Sequence, residues 1–71
     1  PDQYLKATSV EDGIQTRIYQ MVMWHKLFAD ALNVVVIVKT NLKTQAQTHV
    51  VLFSSDLDLT YDQLIDLFTL H

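Results

Sequence analysis

This chain has no cysteine, one glycine and one proline. Without cysteine, no disulfide framework or thiolate metal site can staple a fold of 71 residues, so its stability has to come from buried surface. A single glycine, Gly13, excludes a glycine-rich phosphate loop. Charge is sparse too. Only 18% of residues are charged, and the five basic ones (Lys6, Arg17, Lys26, Lys39, Lys43) are scattered through a chain of net charge -3. That balance gives no electrostatic footprint for nucleic acid, whose phosphates call for clustered Lys and Arg. The longest apolar run, Val34 to Val38, is far too short to span a bilayer, and the N-terminus has no signal-peptide pattern. These absences lead to the expectation of a soluble, cytoplasmic protein with no membrane partner.

What is present is apolar. Hydrophobic residues make up 49% of the chain, a globular balance that argues against disorder. A domain of this size buries roughly 60% of the surface its unfolded chain exposes, so its independent stability is marginal. Residues 1–15 are polar and weakly patterned, and read as an irregular lead-in. Residues 16–55 carry the strand signals. Thr16 to Trp24 is rich in aromatic, β-branched and sulfur-bearing residues. Ile18, Gln20, Val22 and Trp24 fall on one face of that strand and Arg17, Tyr19, Met21 and Met23 on the other, which suggests partial cover on both.

His25 to Asn33 fits a loop or a short turn. Val34 to Val38 is β-branched at every position, the pattern of a strand covered on both faces. Thr40 to Gln47 is polar, with Asn41 as the expected turn residue, and Thr48 to Phe53 is another β run. A polar connection of about eight residues suits an antiparallel hairpin, because a parallel crossover needs a dozen or more. Ser54 to Asp58 then leads into a helix.

That helix has a specific start. Thr60 can cap the first turn while Gln63 reaches back to it, and Leu59 can clasp Leu64 across the cap as a hydrophobic staple. Tyr61, Leu64, Leu67, Phe68 and His71 recur at three- and four-residue steps along one side. No Gly, Asn or Pro stops the pattern by His71. The expected architecture is α/β: about three mostly antiparallel strands followed by one C-terminal helix. One helix is too little to cover three strands, so the fold reads as incomplete.

Residue chemistry alone completes no active site. Asp56, Asp58, Asp62 and Asp66 crowd together, and such carboxylates can hold a hard cation. Asp62 in a first turn and Asp66 one turn on are better read as a solvated helix face, and the spacing does not match a calcium loop. His25, His49 and His71 are too far apart to form a helical pair of ligands. Ser54 and Ser55 have no elbow glycines around them and read as chain-turning residues. Tyr19, Met21, Met23 and Trp24 fit sheet packing better than an interaction stripe. No catalytic residue, metal ligand set or cofactor is assigned to this chain on these grounds.

Several stretches nevertheless carry a resemblance. Val22-Met-Trp-His-Lys, the Val34 to Val38 strand, Val50-Val-Leu-Phe-Ser-Ser-Asp-Leu-Asp-Leu-Thr and Gln63-Leu-Ile-Asp-Leu-Phe-Thr-Leu-His together resemble the catalytic core of bacterial insertion-element transposases. Those enzymes form the DDE superfamily, with an RNase H-like fold. The likeness covers about two thirds of the chain and is strongest from Val50 onward; its most specific part is LFSSDLDL before a capped helix. In that family the helix carries Tyr, two residues, Arg, three residues and the catalytic Glu. Phe68 stands at the Tyr position and His71 at the Arg position, so both are altered.

Such spacing keeps the aromatic, the cation and the acid on one helix face, where the acid can meet two aspartates held by the sheet. The resemblance implies three carboxylates that hold two divalent metals, usually Mg²⁺, for cutting and joining DNA. It places the Glu beyond His71 and the two aspartates before Pro1, and Asp56 and Asp58 do not replace them. The expectation is therefore an internal fragment, 1–71, of an incomplete RNase H-like catalytic domain. It has a signature helix at 60–71, capped by Thr60 and Gln63, and is inactive alone. DNA is then the partner of the intact parent, and missing parts of that domain or self-association the partner of this chain. The alternatives are a small non-enzymatic α/β protein-interaction module and, less supported, a direct DNA-binding module.

Overall fold

A computed structural model describes residues 2–69. Four strands, β1 (Leu5–Glu11), β2 (Ile14–His25), β3 (Asp30–Asn41) and β4 (Gln47–Ser54), follow a 3₁₀ turn at Asp2–Tyr4 and precede one helix, α1 (Tyr61–Thr69). The strands pair only with their neighbours in sequence, all antiparallel, in the order β1-β2-β3-β4. The protein is thus a small α/β fold, an antiparallel meander with a C-terminal helix. Its described residues form four strands where the sequence suggested about three.

The added strand corrects the expected irregular lead-in at 1–15. Its cause is the Asp12-Gly13 pair, which forms a two-residue hairpin loop closed by the Glu11–Ile14 pair. Both loop residues have positive φ, 54° and 76°. A type I′ hairpin turn needs this at both central positions, and Asp-Gly supplies it with little strain. β1 is mostly exposed and polar, so pairing with β2 rather than burial makes it a strand. A register shift between Leu5 and Ala7 kinks it.

β2 and β3 pair without interruption from Ile14–Asn41 to His25–Asp30. The loop or short turn expected over His25 to Asn33 is a turn at 26–29, closed by the Ala29 N–H donating to the Lys26 carbonyl at 3.3 Å. At the other end of β3, Asn41 makes the turn. Its side-chain Oδ1 accepts from the N–H groups of Lys43 (2.9 Å) and Thr44 (3.1 Å), while its backbone N–H donates to the Ala46 carbonyl at 2.8 Å. The long axis of the molecule, 41 Å, is about that of a twelve-residue strand at ~3.4 Å per residue.

The main buried cluster among the described residues lies on the helix face of the sheet. Val35, Leu52 and Leu64 are buried together, with Ile18, Ile37, Leu59, Tyr61 and Ile65 packed around them. Period-two alternation puts Ile18, Val35, Ile37 and Leu52 under the helix and turns Tyr19, Met21, Val36, Val38 and Val51 away from it. Among the described residues no element covers that second face, so cover on both sides, expected for Val34 to Val38, is corrected to cover on one. Val34 is still buried because it sits between its cross-strand partners Met21 and Phe53. Val22, Met23 and Trp24 are exposed, Trp24 to 67%.

Candidate functional site

The junction between β4 and α1 is the most tightly specified part of the molecule, and it contains the stretch LFSSDLDLT. At the end of β4, Ser54 pairs with Asn33 on the central strand β3. The chain then turns in two local steps. Ser54 Oγ accepts from the Asp56 N–H at 3.0 Å, and Asp56 Oδ1 accepts from the Asp58 N–H at 3.0 Å. Short polar side chains fold the backbone back in this way because their oxygens reach a donor two residues on.

Asn33 holds this turn to the sheet. It is the one buried polar residue among those described, 1% exposed. Its Nδ2 donates to the carbonyls of Asp56 (3.1 Å) and Leu59 (2.9 Å), and its Oδ1 accepts from Gln20 Nε2 at 2.9 Å. Gln20 Nε2 also donates to the Leu59 carbonyl at 2.9 Å. Among the described residues no buried side-chain nitrogen or oxygen is left without a partner. A satisfied buried amide network of this kind fixes position, since any shift leaves polar groups unpaired in a low-dielectric setting.

The helix starts from that anchor. Gln63 N–H donates to Thr60 Oγ1 at 3.2 Å and Thr60 N–H donates to Gln63 Oε1 at 3.0 Å, a reciprocal capping box. Leu59 and Leu64 flank the cap within one apolar cluster. The first turn and a half of α1 packs down through Tyr61, Leu64 and Ile65, with Leu64 fully buried. The following residues do not: Leu67 and Phe68 are about half exposed and border a shallow groove with Phe53, Ser54 and Leu64. Phe68, which the resemblance sets at the family's aromatic position, is thus placed on an open helix face. His71 lies outside the described residues.

The acids do not converge. Asp56, Asp58, Asp62 and Asp66 are all exposed, and Asp62 stands in the first turn, where the helix dipole favours a carboxylate. Among the described residues no three of His, Asp or Glu are grouped so as to hold a metal ion. The donor set present therefore does not fit the two-metal centre that the transposase resemblance implies.

A second feature is an open hollow of about 550 Å³ beside the 26–29 turn, lined by His25, Phe28, Asp30, Leu32, Phe53, Ser54 and Ser55. Its polar groups serve local structure. His25 Nδ1 accepts from the Leu27 N–H at 3.2 Å, its ring stacks obliquely on Phe28 with centroids 4.6 Å apart, and Asp30 Oδ1 accepts from the Ala31 N–H at 2.8 Å. No nucleophile and base are paired there by a hydrogen bond among the described residues.

Asn33 and Gln20 are the site residues that sequence reasoning did not single out. A signal was present in the form of one polar residue, Gln20, on the otherwise apolar Ile18, Val22, Trp24 face and another, Asn33, at the head of an all-β-branched run. Comparison with protein-family models, with curated proteins and with solved structures finds no match to this chain in any of the three.

Proposed function

We propose that this chain is the strand-and-signature-helix portion of a DDE transposase catalytic domain whose parent cuts and joins DNA in transposition, and that the chain has no such activity alone. The observation that carries this reading is the junction. A helix that must deliver side chains to a reaction centre has to start from a fixed point relative to the sheet, and the Asn33 and Gln20 amides with the Thr60 cap provide that point. This fixed segment is LFSSDLDLT, the part with the strongest likeness to the family. The half-exposed Leu67 and Phe68 suit a helix face that meets further protein. In the intact family bound Mg²⁺ activates the attacking oxygen and stabilises the leaving one. No step of that chemistry is assigned to residues of this chain.

The experiment is direct: purified chain incubated with DNA and Mg²⁺ or Mn²⁺ yields neither nicked nor joined products. Metal-dependent cleavage lost in Asp56→Asn or Asp58→Asn would overturn the reading.

One observation favours a second reading, a non-enzymatic α/β module that binds a protein partner. The sheet face of Tyr19, Met21, Val36 and Val51 is open. Cooperative unfolding with sharp near-ultraviolet dichroism favours the module; a molten chain without fixed side-chain packing favours the catalytic-domain portion.

A further inference from the structure

The two edges of the sheet are built differently. β1 forms one edge and β4 the other. β1 carries the usual protections against edge-to-edge pairing, a register shift between Leu5 and Ala7 and the charged residues Lys6 and Glu11. β4 carries none of them. Its eight residues, QTHVVLFS, include no Lys, Arg, Asp, Glu or Pro, and it runs beside β3 without a bulge. Among the described residues no strand pairs with its outer side.

Which backbone groups point outward follows from the hairpin. The Asn41 N–H bonds to the Ala46 carbonyl, so Asn41 and Ala46 are a hydrogen-bonded pair. Antiparallel pairs alternate, and Lys39–Thr48, Ile37–Val50 and Val35–Leu52 bond inward in turn. Gln47, His49, Val51 and Phe53 are left with both N–H and C=O turned to the free edge. The side chains of Val51 and Phe53, 47% and 52% exposed, border the same edge.

We propose that β4 pairs antiparallel with β4 of a second copy of this chain, about a two-fold axis at Val51, to give a continuous eight-stranded sheet. The occupant is a second copy because β4 is complementary to itself. Pairing about Val51 sets Val51 opposite Val51, Val50 opposite Leu52 and His49 opposite Phe53 of the partner, so apolar residues meet and no two like charges face each other. Pairing about Val50 would instead set Val51 against His49 and Leu52 against Thr48. The bulged, charged β1 edge does not accept β4 in the same way, so the contact is isologous and closes at two chains instead of growing into a fibre. This pairing is independent of both functional readings above.

Sedimentation and cysteine cross-linking test it. The wild-type chain sediments at twice its monomer mass, and Val51→Lys, a charge on the dyad, returns it to the monomer mass. The chain has no cysteine of its own. Val51→Cys then forms a disulfide-linked dimer on mild oxidation, because paired Cα atoms on the axis lie about 5.5 Å apart, within disulfide reach. His49→Cys, away from the axis, does not. A monomeric wild-type chain overturns the proposal and leaves the edge to a strand of some other protein. So does a dimer that survives in a folded Val51→Lys variant, or His49→Cys cross-linking as fast as Val51→Cys. Should Val51→Lys fail to fold, amide exchange of the wild type decides. Protection of the His49, Val51 and Phe53 N–H groups that rises with protein concentration supports the pairing, and protection independent of concentration overturns it.

Discussion

The Asn33 side-chain amide donates to the Leu59 carbonyl at 2.9 Å, across 26 positions in sequence, and so joins the central strand to the residue just before the helix cap. This bond, with that of Gln20 to the same carbonyl, sets where α1 begins relative to the sheet.

Asn33→Ala removes the donor to Asp56 and Leu59 and the acceptor for Gln20, and is expected to cost about 1–3 kcal/mol, the usual range for stranding buried polar groups. Asn33→Asp is expected to be worse than Asn33→Ala, because it turns a carboxylate oxygen toward two carbonyls. Gln20→Ala is milder, since Leu59 keeps its bond from Asn33. Urea denaturation at a fixed protein concentration ranks the three, and an Asn33→Asp variant as stable as wild type would remove the anchor from the account.

Thr60→Ala breaks one half of the capping box and is expected to destabilise by ~1 kcal/mol. Gln63→Ala breaks the other half and is expected to cost less, because Thr60 Oγ1 still accepts from the N–H of residue 63. Thermal unfolding monitored by helix dichroism reads both.

Leu64 is fully buried against Val35 and Leu52, whereas Phe68 is half exposed. Leu64→Ala is expected to cost about 2–5 kcal/mol through lost burial and a cavity. Phe68→Ala in the isolated chain is expected to cost far less than a buried aromatic. Equal losses at the two positions, measured by chemical denaturation, would mean that the second half of α1 is packed rather than open.

Gly13 has φ of +76° and open space where a Cβ would go. Gly13→Ala therefore meets only backbone strain, expected at ~1 kcal/mol, and Gly13→Asn less, because Asn tolerates the left-handed region. A Gly13→Ala chain whose β1 amides exchange as slowly as wild type's would show that the hairpin does not depend on this turn.

The helix start was legible because its code is local: Thr60, Gln63, Leu59 and Leu64 lie within six positions and interact with one another. The β3–β4 hairpin was legible for a similar reason, as Asn41 both ends β3 and holds the turn. β1 escaped notice because Lys6 to Ser9 has neither the aromatic residues nor the apolar alternation of a half-buried strand, and its identity comes from pairing with β2. The Asp12-Gly13 pair was the available clue. Asn33 escaped for a different reason: two of its partners are backbone carbonyls more than 20 positions away, and no sequence pattern records a backbone acceptor. Cover on both faces of Val34 to Val38 was overestimated because β-branching marks a pleated surface, which one layer suffices to bury in part.

The proposal that α1 is the signature helix of a DDE transposase is tested by the nucleotide sequence that follows the His71 codon in its native locus. A frame, continuous or shifted, in which three residues and then a Glu follow His71 is expected there. If no frame there encodes a Glu at that spacing, the transposase reading is contradicted and the interaction module takes its place.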